Sequence, residues 1–174
     1  MSFSLQSQAM SLGDLDGRLL LRARTRGHTR WAERAIGAYS RTGEHAAIWL
    51  GLGALGYATS SDRSRRAAWA RGVRIVARSY AVNYAVKLAV RRPRPELAQL
   101  PPLTPTVSRL SFPSAHATTS FAAARAYRDL LPQGVLYAAA LAFALSRPYL
   151  GVHYPADVLA GALLGTAVAE VGRA

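Results

Sequence analysis

The stretch Gly134-Val135-Leu136-Tyr137-Ala138-Ala139-Ala140-Leu141-Ala142-Phe143-Ala144-Leu145-Ser146 carries no charge, and every residue between its ends is apolar. A segment with no polar face is buried on all sides, either in a large core or in lipid. Four further apolar runs surround it, at 44–60, 73–90, 114–131 and 155–171. None is a clean stretch of the roughly 20 apolar residues that a membrane span takes. Arg74 and Arg78 interrupt the run at 73–90, and Arg125 lies inside the run at 114–131. Each run alone would fit a soluble bundle. Five in succession, with a basic loop expected at 61–72 and a proline-rich loop at 91–113, predict an all-α integral membrane bundle of about five spans.

Outside these runs, residues 1–11 read as a loose tail. Residues 12–41 combine seven arginines, Arg18 to Arg41, with recurring apolar positions at Leu12, Leu15, Leu19, Trp31, Ala35 and Ile36. So many arginines exclude a span and predict an amphipathic helix, broken near Gly27, lying on the membrane surface. Two parts follow: a tail and interfacial helix over 1–43, and a membrane-embedded core over 44–174. The loop at 91–113 holds six of the nine prolines, which exclude a helix there. Pro155 suits the first turn of the helix that follows it. Gly51, Gly53, Gly56, Gly161 and Gly165 suit close helix packing, first within one chain and also between copies in a homo-oligomer.

The chain has 174 residues and a formal net charge of +13, with 21 arginines and a single lysine. That charge calls for an anionic partner: nucleic acid, an anionic lipid surface or a phosphorylated substrate. The basic residues form no stripe with interleaved aromatics, which argues against nucleic acid. Cysteine is absent, so neither disulfides nor thiolate metal sites arise. The first ten residues show no basic stretch followed by an apolar run, so no secretory leader is expected.

Three separated segments carry chemistry. In the last, Ser146-Arg147-x5-His153-x3-Asp157, the histidine and carboxylate are four residues apart across a helix start, where they can meet on one face. A carboxylate beside one imidazole nitrogen fixes the tautomer and leaves the other nitrogen free to attack. Arg147 offers a planar fork of donors to the same anion. In the middle segment, Pro113-Ser114-Ala115-His116, Ser114 can cap a helix and offer its N–H or hydroxyl to an oxyanion, and His116 can serve as a general acid. The first segment, Lys87-x6-Arg94-Pro95, places the lone lysine in the last turn of a helix and an arginine in the extended stretch beyond it. Arg91 and Arg92 read instead as cations snorkelling at a membrane boundary.

In this order and spacing the three segments resemble the signature of the type 2 phosphatidic acid phosphatase family, which shares its site with vanadium haloperoxidases. The resemblance covers about residues 45–171. It implies that Lys87, Arg94 and Arg147 bind phosphate, with a hydrogen bond from Ser114. It further implies His116 as the acid, His153 as the nucleophile and Asp157 as its orienting partner. The path would run through a phosphohistidine that water hydrolyses, with no metal and no other cofactor. Ala115 departs from the glycine more usual there, and would be strained if its φ were positive. The five runs also fall short of the six spans common in the family.

The short form, with its N-terminal surface helix and Ala/Arg-rich composition, resembles actinobacterial members. Some of those act on decaprenylphosphoryl-5-phosphoribose in the synthesis of cell-wall arabinan precursors. Undecaprenyl diphosphate, phosphatidic acid and phosphatidylglycerophosphate are the competing lipids. The arginines lean toward the motif-bearing end of the bundle, which by the positive-inside rule faces the cytoplasm. Outside the lipid phosphatases, the alternatives are a haloperoxidase, a non-catalytic membrane scaffold and a basic nucleic-acid binder.

Overall fold

The computed structural model describes residues 11–173, and all of its regular structure is helical. The tail expected over 1–11 lies outside the described residues except for Ser11. Helices α1 (Leu12–Thr25) and α2 (Arg30–Thr42) come first, and a 3₁₀ turn at Glu44–Ala46 leads into α3 (Ala47–Thr59). Then come α4 (Arg63–Val90), α5 (Ala115–Ala126), α6 (Gln133–Tyr149) and α7 (Pro155–Val171). The break expected near Gly27 separates α1 from α2, and Gly27 itself has a φ of 71°.

Local chemistry accounts for these boundaries. Ser11 and Asp14 form a reciprocal capping box that starts α1, and Thr29 caps α2 by accepting from the Ala32 N–H at 3.1 Å. Residues 61–72 are not a loop. Asp62 caps α4 by accepting from the Arg65 N–H at 2.7 Å, and the helix runs unbroken for 28 residues. Arginine and alanine, which fill its first turns, are among the best helix formers, so basic character there did not mean a loop.

Helix α5 is the axis of the bundle. Its small residues, Ala117 to Ser120 and Ala122 to Ala124, are all buried, and α4, α6 and α7 pack around it. The closest approach is to α7. A Cβ on Gly165 would lie 2.0 Å from the Thr118 carbonyl oxygen, and one on Gly161 2.6 Å from that of Ser114. Gly53 and Gly56 make way for Tyr127 and Trp69 in the same manner, whereas Gly51 meets nothing. Trp49, Trp69, Tyr127, Leu136 and Phe143 form the core. Two of these side chains pair their polar atoms inside it: the Trp49 indole N–H donates to Ser120 Oγ at 2.8 Å, and the Tyr127 hydroxyl to the Trp49 carbonyl at 3.0 Å. Arg125, the charge inside an apolar run, donates to Glu170 on α7.

Among the described residues no helix is long and apolar enough to cross a membrane. The bundle nevertheless presents large apolar side chains outward, among them Leu55, Leu141, Leu145, Leu159 and Leu163. The N-terminal helices do not stand apart from the bundle. Both pack against α6, and α1 also reaches α7. The buried Arg24 of α1 donates to the carbonyls of Tyr149 at 3.3 Å and Pro101 at 2.9 Å. Gly151, at a φ of 76°, lets it in, since a Cβ there would lie 2.7 Å from Arg24 Nε.

Candidate active site

The C-terminal ends of α4 and α6 and the N-terminal ends of α5 and α7 meet at one end of the bundle. The three segments therefore converge, because each lies at one of these helix ends. Lys87, Arg94, His116, Arg147 and His153 line one cavity of about 90 Å³. Ser114 and Asp157 are fully buried just behind it.

His153 is flanked on both sides. Its Nε2 lies 3.2 Å from Arg94 Nη1, a group that can only donate, so Nε2 is the acceptor and the ring proton sits on Nδ1. Nδ1 faces Asp157 Oδ2 at 3.5 Å, too long for a hydrogen bond, and is otherwise unpartnered. Burial, reinforced by the charges of Arg94, Arg147 and Lys87, holds the His153 pKa well below the ordinary histidine value. The imidazole is thus neutral at neutral pH, with its free lone pair turned to the cations.

Asp157 is fixed by more than His153. Its Oδ2 accepts the Tyr154 N–H at 2.9 Å, which closes the first turn of α7, and its Oδ1 accepts Arg92 Nη1 at 2.8 Å. Arg92 therefore does not snorkel. Its other nitrogen donates to Asp16 of α1 at 2.8 Å, and its guanidinium lies 4.1 Å from the Tyr154 ring centre. Asp16 also accepts the Ala156 N–H at 2.9 Å. The chain Asp16–Arg92–Asp157 ties the N-terminal helix to the carboxylate behind His153. Nothing in the sequence pointed to it, since Asp16 lies 141 positions from Asp157 and an arginine pair beside a membrane run looks like any boundary.

The cations are set by the loop between α4 and α5. Pro93 and Leu110 face each other in an isolated antiparallel bridge, with the Arg94 N–H donating to the Arg109 carbonyl at 3.2 Å. Arg94 then donates through Nε to the Ser108 carbonyl and through Nη1 to that of Val152, both at 2.7 Å. Its burial, partly offset by Asp157, lowers its pKa to about 10, so it stays charged. Lys87 donates to the carbonyls of Leu110, Ser111 and Pro113 at 3.0 to 3.3 Å, so it also shapes the turn that leads into α5. Asn83, one turn before it, donates to Pro113 O and Thr118 Oγ1.

The middle segment differs from expectation in one respect. Ser114 occupies the cap position of α5, but its hydroxyl makes no capping bond. Its N–H donates to the Asp157 carbonyl at 3.0 Å, and its buried Oγ has no partner. The hydroxyl, not the N–H, is the donor that remains. Ala115 opens α5 without a positive φ, so alanine there carries no strain. His116 Nε2 donates to the Ser40 carbonyl at 2.9 Å, and Arg147 Nη1 donates to the Ser40 hydroxyl. Ser40 belongs to α2, so the expected surface helix anchors two of the cavity's side chains.

Residues 69–172 match the model of the PAP2 superfamily, and this chain belongs to that family. A decaprenylphosphoryl-5-phosphoribose phosphatase of Mycolicibacterium smegmatis is 44% identical over 128 residues, spanning 71% of this chain and 68% of the relative. The protein of the same name from Mycobacterium tuberculosis H37Rv is 41% identical over 134 residues, 76% of this chain and 73% of the relative. Among solved structures, the transmembrane PAP2-type phosphatidylglycerolphosphate phosphatase of Bacillus subtilis superposes with a TM-score of 0.75 at 22% identity. It covers 95% of this chain and 86% of that protein. Aquifex aeolicus LpxE gives 0.71 at 18% identity, with 91% and 94% covered. These last two share the fold.

Proposed function

We propose that this protein is a membrane lipid phosphatase that removes the terminal phosphate of decaprenylphosphoryl-5-phosphoribose without a metal. The observation that carries this reading is the placement of His153 Nε2, unprotonated and 3.2 Å from the Arg94 guanidinium, in a cavity that Lys87 and Arg147 also line. The relatives' names supply the substrate. The outward leucines support embedding in lipid, with α3 to α7 as about five spans, α1 and α2 at the interface, and the cavity on the cytoplasmic face.

In this reading Lys87, Arg94 and Arg147 neutralise the phosphate and the Ser114 hydroxyl donates to one of its oxygens. The His153 Nε2 lone pair forms a bond to phosphorus while the bond to the ribose 5-oxygen breaks. His116 gives that oxygen its proton. With Nε2 committed to the Ser40 carbonyl, Nδ1–H of the imidazolium is the donor that remains. Asp157, held by Arg92, stabilises the positive charge that His153 acquires. Water then attacks the phosphohistidine with His116 as base, releasing inorganic phosphate and restoring both histidines.

The test is phosphate release by detergent-purified protein in EDTA, from decaprenylphosphoryl-5-phosphoribose, a polyprenyl diphosphate and phosphatidic acid. Release that persists in EDTA, prefers the phosphoribose lipid and vanishes in His153→Ala is expected. Release from the diphosphate or phosphatidic acid alone overturns the substrate. Equal release by the variant overturns the nucleophile.

A further inference from the structure

The cations and histidines account for only part of the cavity wall. The remainder includes Glu44, His45, Tyr80 and Tyr84, none of which belongs to the three segments. The backbone that delivers the first two is strained. His45 at φ 52° and Ala46 at φ 60° are consecutive non-glycine residues in the left-handed region. Such residues persist only where the surroundings hold them, and they cluster at binding sites. Here the hold is visible. Gly43 is wedged so closely that a Cβ would lie 2.8 Å from Phe143 Cε1 and 3.0 Å from His116 Cδ2, and Ala46 is buried in the core.

The strained turn brings His45 Nδ1 within 2.8 Å of the Tyr80 hydroxyl. That pair still has Nε2 and a second position on the hydroxyl to offer, and the Glu44 carboxylate beside it is an acceptor only. Sugar hydroxyls each donate and accept, and this set matches neighbouring ones. A second phosphate would be repelled by Glu44, and a polyprenyl tail has no use for three polar groups.

We propose that Glu44, His45 and Tyr80 form a hydroxyl-binding subsite that grips the sugar carrying the scissile phosphate, and so set the preference for a phosphorylated sugar. This rests on the reading of the protein as a phosphatase of such a lipid, but it can be tested without turnover. On a His153→Ala background, calorimetry would compare ribose 5-phosphate with n-pentyl phosphate, which has the same phosphate and carbon count but no hydroxyls. The sugar phosphate is expected to bind about tenfold tighter, the worth of one good set of hydrogen bonds. Tyr80→Phe and Glu44→Gln should each bring the ratio toward one. His45→Gly removes the ring and the backbone strain together. It should unfold at a higher temperature than its parent and still lose the preference, which a purely structural role for His45 does not predict. Equal affinity for the two ligands, no binding of either, or a ratio that survives all three substitutions overturns the subsite. Lipid hydrolysis by the unmutated protein is read separately, so failure of the phosphatase reading is distinguishable from failure of the subsite.

Discussion

At the scale of single residues, the state of His153 decides the chemistry. A histidine whose pKa is driven down stays unprotonated as pH falls through the ordinary range near about 6.5. Burial and the three cations depress it here, so the nucleophile keeps its lone pair on the acid side of neutrality. The profile of kcat/KM against pH should therefore show no acid limb from His153 near that value; a limb centred there would mean the ring titrates as if exposed. Arg92 yields a second expectation. It spans two carboxylates, with one nitrogen 2.8 Å from Asp157 and another 2.8 Å from Asp16. A lysine offers one point-like ammonium in place of the two separate guanidinium nitrogens, so it cannot reach both carboxylates in the same geometry. Losing one charged hydrogen bond costs about 1.5–3 kcal/mol, so Arg92→Lys should lower kcat by roughly 10–100-fold. KM should change little, because Arg92 stands behind Asp157. Steady-state kinetics on the lipid substrate separates the two parameters. A loss confined to KM would place Arg92 on the substrate instead.

The elements show where sequence reasoning holds and where it stops. The apolar runs predicted α3, α6 and α7 closely, and the motif spacings placed their residues at helix ends, because a pattern within one segment reports its own face and termini. The helix that begins within 61–72 is not legible from charge, because arginine serves both loops and exposed helix faces, and the Asp62 cap is what distinguishes them. What lay beyond reach was pairing between segments distant in sequence: Asp16 with Arg92, Ser40 with Arg147, and the turn at His45 with Tyr80. These depend on how α1 and α2 dock, and amphipathic periodicity does not say onto what. Glycine at 165 is the opposite case, legible and demanding. Thr118 O would stand 2.0 Å from its Cβ, and backbone cannot yield cheaply. Gly165→Ala should push α7 off α5 at a cost of about 1–3 kcal/mol, seen as a lower unfolding temperature in detergent. Gly51→Ala, which meets nothing and replaces a glycine inside a helix, should not lower that temperature and should raise it slightly.

For the whole molecule, the topology makes a claim about sides. The cavity gathers the start of α3, the ends of α4 and α6, and the starts of α5 and α7, so residues 60–62 and 127–132 lie at the opposite end of the bundle. If these five helices cross the bilayer, the two ends face different compartments. The arginines of α1 and α2 dock at the cavity end, and cationic flanks favour the cytoplasm. The chain contains no cysteine, so a single introduced thiol reports its own position. Val107 is 75% exposed at the cavity mouth, and Ser61 is exposed at the far end. In intact cells a membrane-impermeant maleimide should label Ser61→Cys and spare Val107→Cys until the membrane is permeabilised. The reverse pattern would put the cavity outside, where a lipid phosphate made in the cytoplasm would have to be flipped before hydrolysis. Labelling of both thiols in intact cells would show that α3 and α4 do not span, and the outward leucines would then need another cover than lipid.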